Sequence, residues 1–144
     1  MICKAQKADA PAAARLATKL WPDQTAKELT ADFETYIEGE NGAVFLYFHN
    51  EEAVAFAQCQ LRRDYVEGTN STPVGYLEGI FVEPEYRKRG FAKALLSACE
   101  RWVKEQGCTE FASDCELHNE QSITFHLHTG FSEANRVVCF VKRI

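Results

Sequence analysis

The chain has 144 residues, and its 16 Lys and Arg against 21 Asp and Glu give a formal net charge of −5. Hydrophobic residues make up 46% of it and aromatic residues 12%, which is too apolar for a disordered protein. The acidic balance argues against nucleic acid or an anionic membrane as a partner, because both require a basic surface, and it permits a cationic small molecule.

The first half of the chain predicts a strand, two helices and a hairpin. Ile2–Gln6 is strand-like, and a helix follows that ends at Leu20, before Trp21-Pro22. Leu29, Phe33 and Ile37 then recur at the spacing of one helix face. Two strands and a polar loop follow, over Val44–Phe48, Ala53–Leu61 and Asp64–Pro73.

In the second half, Val74–Val82 is predicted as a strand that Gly79 interrupts, with a bulge or a close backbone approach at that glycine. Gly90 begins a strongly periodic helix that ends at Gly107. The remaining elements are a strand over Glu110–Cys115, a helix from Asn119 to Thr129 and a strand over Arg136–Lys142. The order β-α-α-β-β-β-α-β-α-β predicts a mixed α/β fold in one domain, residues 1–144.

The cysteines and apolar runs indicate a cytoplasmic protein. Six cysteines are present, and no two have the Cys-x-x-Cys spacing, so we expect free thiols rather than disulfides or a zinc site. The longest apolar runs, Ala43–Phe48 and Val137–Val141, are too short to cross a bilayer. The N-terminus has no signal-peptide pattern, and no metal is expected.

The segment from Val82 to Ala92 predicts a phosphate site, because it runs from a strand end through a turn into a helix. The first N–H groups of a helix have no intrahelical partner and attract anions. Gly90 removes the Cβ where a ligand would approach, and Arg87, Lys88 and Arg89 add positive charge. The alternative is a solvated basic turn with an incidental glycine.

Two motifs in this sequence resemble those of the GNAT N-acetyltransferases. Arg87-x-x-Gly90-x-Ala92 is similar to the family's pyrophosphate-binding motif, and Asn119-x-x-Ser122 with the later Gly130-Phe131 is similar to its second motif. The resemblance covers essentially the whole chain. It implies a mixed, mostly antiparallel central sheet flanked by helices, acetyl-CoA as the donor, and transfer to an amine.

Four further segments resemble the bacterial aminoglycoside 6′-N-acetyltransferases. They are Leu20–Pro22, Asp64–Gly68, Gly75–Val82 and Glu110–Asp114. This resemblance implies acetylation of the 6′-amine of drugs such as kanamycin and tobramycin by direct transfer in a ternary complex, antibiotic resistance, and a homodimer. The alternatives are an acetyltransferase for a polyamine or another cellular amine, and a non-catalytic acyl-CoA-binding module.

The resemblance also assigns a coenzyme site. The thioester would lie along Ile80–Val82 and the pyrophosphate at Lys88–Lys93. His126 occupies the place of a tyrosine general acid in many members, although a half-exposed structural histidine is an equal alternative. The expected coenzyme-binding residues are Ile80, Phe81, Val82, Lys88, Arg89, Gly90, Phe91, Ala92, Lys93, Asn119 and His126.

Two carboxylates are candidates for the catalytic base, because an amine attacks a thioester only after losing its proton. Glu78 precedes the phosphate turn on the same strand, and Asp114 ends the following strand. The alternatives are a Glu78 paired with a basic neighbour and an Asp114 that caps a turn. The resemblance assigns both to the acceptor, together with Trp21, Tyr65 and Asn135; many relatives carry an acidic residue where this chain has Asn135.

Overall fold

The protein forms a five-stranded sheet, in the order β1-β2-β3-β4-β5, in a computed structural model that describes residues 1–144. The strands are β1 (Ile2–Lys4), β2 (Gly42–His49), β3 (Glu52–Arg62), β4 (Val74–Val82) and β5 (Phe111–Ser113). The helices are α1 (Ala10–Leu20), α2 (Ala26–Glu38), α3 (Phe91–Glu105) and α4 (Glu120–His128). The predicted mixed α/β fold is confirmed: the first four strands pair antiparallel, and β4 pairs with β5 in parallel.

The sheet is buried on both faces by helices from different parts of the chain. On one face, Phe56 of β3 packs with Leu16 of α1 and Phe33 of α2. On the other face, Leu95 and Trp102 of α3 belong to a second core cluster. This double burial explains why β2 and β3 have apolar runs rather than a strict alternation.

β4 contains a bulge at Glu78, where the sequence predicts an irregularity beside Gly79. Cys59 of β3 lies opposite Leu77 and Gln58 lies opposite Gly79, so Glu78 has no opposite residue. Leu77 before the bulge and Val82 after it both join the α3 core cluster, although they are five positions apart. The bulge therefore reverses the alternation of β4 and turns Glu78 and Gly79 toward α1 and α2.

The sheet opens beyond the middle of β4. The parallel pairing with β5 covers only Gly75–Leu77 of β4. The rest of β4, up to Val82, pairs with β3 on one edge and has no strand on its other edge. A gap thus separates the second half of β4 from the residues that follow β5.

The sequence predicts a last strand over Arg136–Lys142, and for the single chain this prediction is wrong. Residues 131–144 contain no helix or strand. Val137, Val138, Phe140 and Val141 are each at least 70% exposed. The sequence has the apolar character of a strand, but a strand also needs a backbone partner, and none of the five strands pairs with this segment.

None of the helices is both long and apolar enough to cross a membrane. The chain also has no group of three or more His, Cys, Asp or Glu that could hold a metal ion.

We expect the core between α1, α2 and the sheet to depend on Phe56, which is fully buried and makes edge contacts with the rings of Trp21 and Phe33. Phe56→Ala should lower the free energy of unfolding by about 3–5 kcal/mol, because it removes apolar contacts and leaves a cavity. Chemical denaturation measures this loss. Lys27→Ala, at an exposed position of α2, is the control and should change little; equal stability of the two variants would contradict the packing described.

Candidate active site

A cavity of about 350 Å³ lies between α1, α2 and the outer part of β3 and β4. Its lining combines aromatic side chains with carboxylates and amides, a composition suited to a ring that carries amines and hydroxyls. The lining residues are Trp21, Gln24, Leu29, Asp32, Phe33, Tyr36, Gln58, Gln60 and Glu78. Of the acceptor residues expected from the sequence, the cavity includes Trp21 and Glu78. Asp32 was missed because α2 was interpreted only as a packing helix.

Glu78 lies at the wall of this cavity and is held by neighbours from β3. Its Oε1 accepts hydrogen bonds from Nε and Nη2 of Arg62, at 3.1 and 2.7 Å, and from Nε2 of Gln60. Its side chain is 21% exposed. Glu78 therefore does pair with a basic neighbour, the alternative considered from the sequence, and it also faces the cavity expected to hold the acceptor.

Asp114 is bonded to Tyr76, which lies two residues before Glu78 on β4. The Tyr76 hydroxyl donates to Oδ2 of Asp114. Burial, followed by this hydrogen bond, raises the pKa of Tyr76, so the hydroxyl keeps its proton and remains a donor. The guanidinium of Arg62 lies 3.5 Å from the centre of the Tyr76 ring. Arg62 and Tyr76 thus connect the two candidate carboxylates, and no pattern in the sequence predicts this connection.

Trp21, Tyr65 and Asn135, which the sequence assigns to the amine substrate, differ in how far they are buried. Trp21, just after α1, packs closely on β4: a Cβ added at Gly79 would lie 2.7 Å from its ring. Tyr65 is 77% exposed in the loop between β3 and β4. Asn135 donates to Glu67 of that loop at 3.3 Å. Trp21 is therefore fixed in the cavity wall, whereas Tyr65 and Asn135 lie on surface segments that do not line the cavity.

The start of α3 has the geometry expected of a phosphate site. Gly90 precedes the helix with φ +82°, a left-handed conformation that favours glycine, and a Cβ there would meet nothing within 4 Å. The side of the turn at Gly90 is therefore open, and the N–H groups of Phe91, Ala92 and Lys93 that follow have no partner within the helix, as a site for the pyrophosphate of a coenzyme requires. Lys88 and Arg89 lie in the turn that leads into this helix.

Arg87 was expected to add positive charge at the phosphate site, but its side chain is bonded to the backbone of the turn. Its Nε donates to the carbonyl oxygen of Val82 at 2.9 Å, and its guanidinium lies 5.5 Å from the centre of the Phe81 ring. Arg87 therefore closes the turn between β4 and α3, whereas no hydrogen bond within the chain holds the side chains of Lys88 and Arg89.

Glu83, at the start of the same turn, was not singled out from the sequence. It is only 7% exposed and forms ion pairs with Lys19 and, at 3.4 Å, with Arg15. Both partners belong to α1, which also leads into Trp21. One helix thus contacts both the phosphate turn and the cavity.

The polar side chains of the second motif form hydrogen bonds within the chain. Asn119 accepts from the N–H of Ser122 at 3.1 Å and caps α4. His126 Nδ1 lies 2.7 Å from the carbonyl oxygen of Ser122, so this nitrogen carries the proton and donates it. Its Nε2 lies 2.8 Å from Oγ of Ser113 in β5. His126 therefore connects α4 to β5, which favours the structural alternative over a free general acid.

The chain is similar to known N-acetyltransferases. The model of the acetyltransferase (GNAT) family matches residues 11–131. The chain is 42% identical over 140 residues to an aminoglycoside N(6′)-acetyltransferase type 1 from Stenotrophomonas maltophilia, covering 96% of this chain and 90% of that one.

Solved structures give the same result. The structure of AAC(6′)-Iy in complex with the bisubstrate analogue CoA-S-monomethyl-acetylneamine superposes with a TM-score of 0.95 at 38% identity, covering 100% of this chain and 98% of that one. The aminoglycoside 6′-N-acetyltransferase AAC(6′)-Ih from Acinetobacter baumannii gives a TM-score of 0.92 at 38% identity, with the same coverage.

Gly90→Ala tests the phosphate site, and Gly107→Ala is its matched control. Both glycines have a left-handed φ, +82° and +89°, lie at opposite ends of α3 and have open space at the Cβ position. Each substitution should cost about 1–2 kcal/mol of stability through backbone strain. Only Gly90→Ala should weaken the binding of coenzyme A, measured by calorimetry. Equal affinities of the two variants would contradict a phosphate site at Gly90.

Proposed function

The chain belongs to the acetyltransferase (GNAT) family, and from this premise we propose that it transfers an acetyl group from acetyl-CoA to the 6′-amine of aminoglycoside antibiotics. The observation that carries the proposal is Glu78, a carboxylate turned by a strand bulge into an aromatic and amide-lined cavity, four residues before Val82, where β4 ends. Acetylation removes the positive charge of the amine, and resistance to the drug is the expected result.

The donor end of the site uses backbone groups. The N–H groups at the start of α3, with Lys88 and Arg89, would hold the pyrophosphate. Ile80, Phe81 and Val82 line the open edge of β4, where backbone groups can bind the pantetheine arm and polarise the thioester carbonyl. Acetyl-CoA supplies the activated acetyl group. Asn119, at the start of α4, can donate through its side-chain amide nitrogen, since its oxygen is used as the cap.

The acceptor end must take a proton from an ammonium group. A primary alkylammonium has a pKa of about 10.4, so at neutral pH it reaches the enzyme protonated. Glu78 and Asp114 attract it and accept the proton, directly or through water. The amine nitrogen then bonds to the acetyl carbon as the carbon–sulfur bond breaks. The nitrogen loses a second proton as it becomes an amide, this proton passes to the sulfur, and the coenzyme leaves as its thiol. Direct transfer of this kind requires no covalent enzyme intermediate.

The walls of the cavity favour an amino sugar over a linear polyamine. Trp21 offers a flat apolar face on which a sugar ring can stack. Gln24, Gln58 and Gln60 offer both donors and acceptors for hydroxyl groups, which a polyamine lacks. Tyr65 and Asn135 on the surface segments would contact the outer rings of a larger drug.

We further propose that two copies of the chain form a homodimer in the cytoplasm. Val137, Val138, Phe140 and Val141 are exposed, β5 has an unpaired outer edge, and α4, which contacts β5 through His126, contains no buried residue. A second copy can pair its C-terminal segment as a strand with an unpaired edge of the sheet, and burial of the apolar side chains of that segment favours association. Six cysteines without a disulfide agree with a reducing compartment.

Glu78→Gln and Asp114→Asn test the acceptor chemistry. Each should lower kcat with kanamycin by about 10²- to 10⁴-fold, because the proton acceptor is lost, while calorimetry should find coenzyme A binding nearly unchanged.

The same assay, run on the wild-type protein with kanamycin, spermidine and no acceptor, separates the alternatives. Turnover with kanamycin supports the proposal, and turnover with spermidine alone would mean that the acceptor is a polyamine. Coenzyme binding without turnover on either amine would indicate a binding module. Unchanged kcat in both variants would remove the roles assigned to the two carboxylates.

The C-terminal segment gives a separate test of the dimer. We expect the wild-type protein to sediment as a dimer and the double variant Val138→Asp with Phe140→Asp to sediment as a monomer, because the two charges would be buried at the interface. Lys142→Ala is the control in the same segment and should remain dimeric. A monomeric wild-type protein, or a dimeric double variant, would contradict the proposed interface.

A further inference from the structure

Two side chains, Arg62 and Tyr76, connect the two carboxylates assigned to the acceptor amine. The proposed chemistry itself uses neither of them. Arg62 ends β3 and Tyr76 lies on β4. Arg62 donates to Glu78, its guanidinium lies 3.5 Å from the centre of the Tyr76 ring, and the Tyr76 hydroxyl donates to Asp114. The series Glu78–Arg62–Tyr76–Asp114 therefore links the two carboxylates by direct contacts.

The hydrogen bonds of Glu78 are unequally divided between its two oxygens. Both bonds from Arg62 and the bond from Gln60 end on Oε1. Oε2 has no partner within the chain. The carboxylate is thus held by one oxygen in a fixed orientation, and the other oxygen remains available to an ammonium group in the cavity.

Asp114 has a similar arrangement. Tyr76 donates to Oδ2, and Oδ1 has no partner within the chain. Tyr76 is itself fixed: it is 6% exposed and packs with Val66 and Val74 in a small cluster. Because burial and the bond to Asp114 raise its pKa, the hydroxyl donates without competing as a base. In each carboxylate, therefore, one oxygen accepts hydrogen bonds within the chain and the other oxygen has no partner there.

The charge of Arg62 adds a second effect. Glu78, Asp114 and Arg62 all lie close enough to Tyr76 to influence its ionisation. Two carboxylates near one tyrosine repel each other, and the guanidinium that contacts both Glu78 and the Tyr76 ring offsets this repulsion before a cationic acceptor binds. A planar guanidinium can donate to a carboxylate and stack on an aromatic ring at the same time, which lysine cannot do equally well.

We propose that Arg62 and Tyr76 are positioning residues, which set the orientation and spacing of Glu78 and Asp114 so that one oxygen of each meets the acceptor amine. The inference rests on the proposed function, because it takes these two carboxylates to be the groups that bind and deprotonate the amine. Neither positioning residue needs to touch the reacting atoms.

The test is steady-state kinetics of Arg62→Met, Arg62→Lys and Tyr76→Phe, with thermal unfolding measured in parallel. Arg62→Met should lower kcat by about 10²-fold, the effect of a small misplacement of catalytic groups, with the KM for acetyl-CoA unchanged. Arg62→Lys should recover part of this loss, because the charge remains while the two-pronged donation is lost. Tyr76→Phe should lower kcat in the same direction.

Arg63→Met is the matched control. Arg63 is the next residue in the chain, is exposed, and donates to Asn41 rather than to the site. Its substitution should leave kcat and both KM values unchanged. A kcat of Arg62→Met equal to that of the wild type would overturn the proposal.

Two further outcomes would also overturn it. A lower acceptor KM with undiminished kcat in Arg62→Met would mean that Arg62 occupies the place of the acceptor's ammonium and must be displaced. A parallel loss of thermal stability and coenzyme affinity would mean that Arg62 is structural. Failure of the proposed function is distinguishable from all of these, because the wild-type protein would then have no turnover in the same assay.

Discussion

The bulge at Glu78 is the constraint on which the rest of the site depends. Without the extra residue, a regular β4 would place either Leu77 or Val82 on the wrong face of the sheet, and the core against α3 would lose one of them. With it, both remain in that core, and Glu78 projects into the cavity beside α1 and α2. The absence of a side chain at Gly79 then allows the Trp21 ring to pack directly on the strand.

The second half of β4 brings the donor and acceptor ends of the site together. Its outer edge is free because β5 pairs only with Gly75–Leu77. It leads directly into the turn that Arg87 closes and into the open start of α3 at Gly90. α1 connects the two ends, since Lys19 is paired with Glu83 of that turn and Trp21 lines the cavity. An acetyl donor along this edge and an amine beside Glu78 would therefore meet across one strand.

Local sequence patterns were sufficient to predict most of the backbone features that form the site. The periodicity of α3, the glycine before it and the irregularity at Gly79 are all properties of neighbouring residues, and the structure contains each of them. Arg62, Tyr76 and Glu83 escaped prediction because their partners lie at least 16 residues away. The expected strand over Arg136–Lys142 failed for a related reason: its apolar residues are those of a strand, but a strand also needs a backbone partner, and no strand of the same chain pairs with this segment.

The central claim, that Glu78 and Asp114 face the reacting amine, is tested most directly by a crystal structure of the protein with coenzyme A and kanamycin. We predict that the 6′-nitrogen lies about 2.6–3.2 Å from Oε2 of Glu78 or Oδ1 of Asp114, or one water molecule away, with the coenzyme sulfur beside the open edge of β4. A 6′-nitrogen bound away from both carboxylates, with the coenzyme in place, would contradict this account.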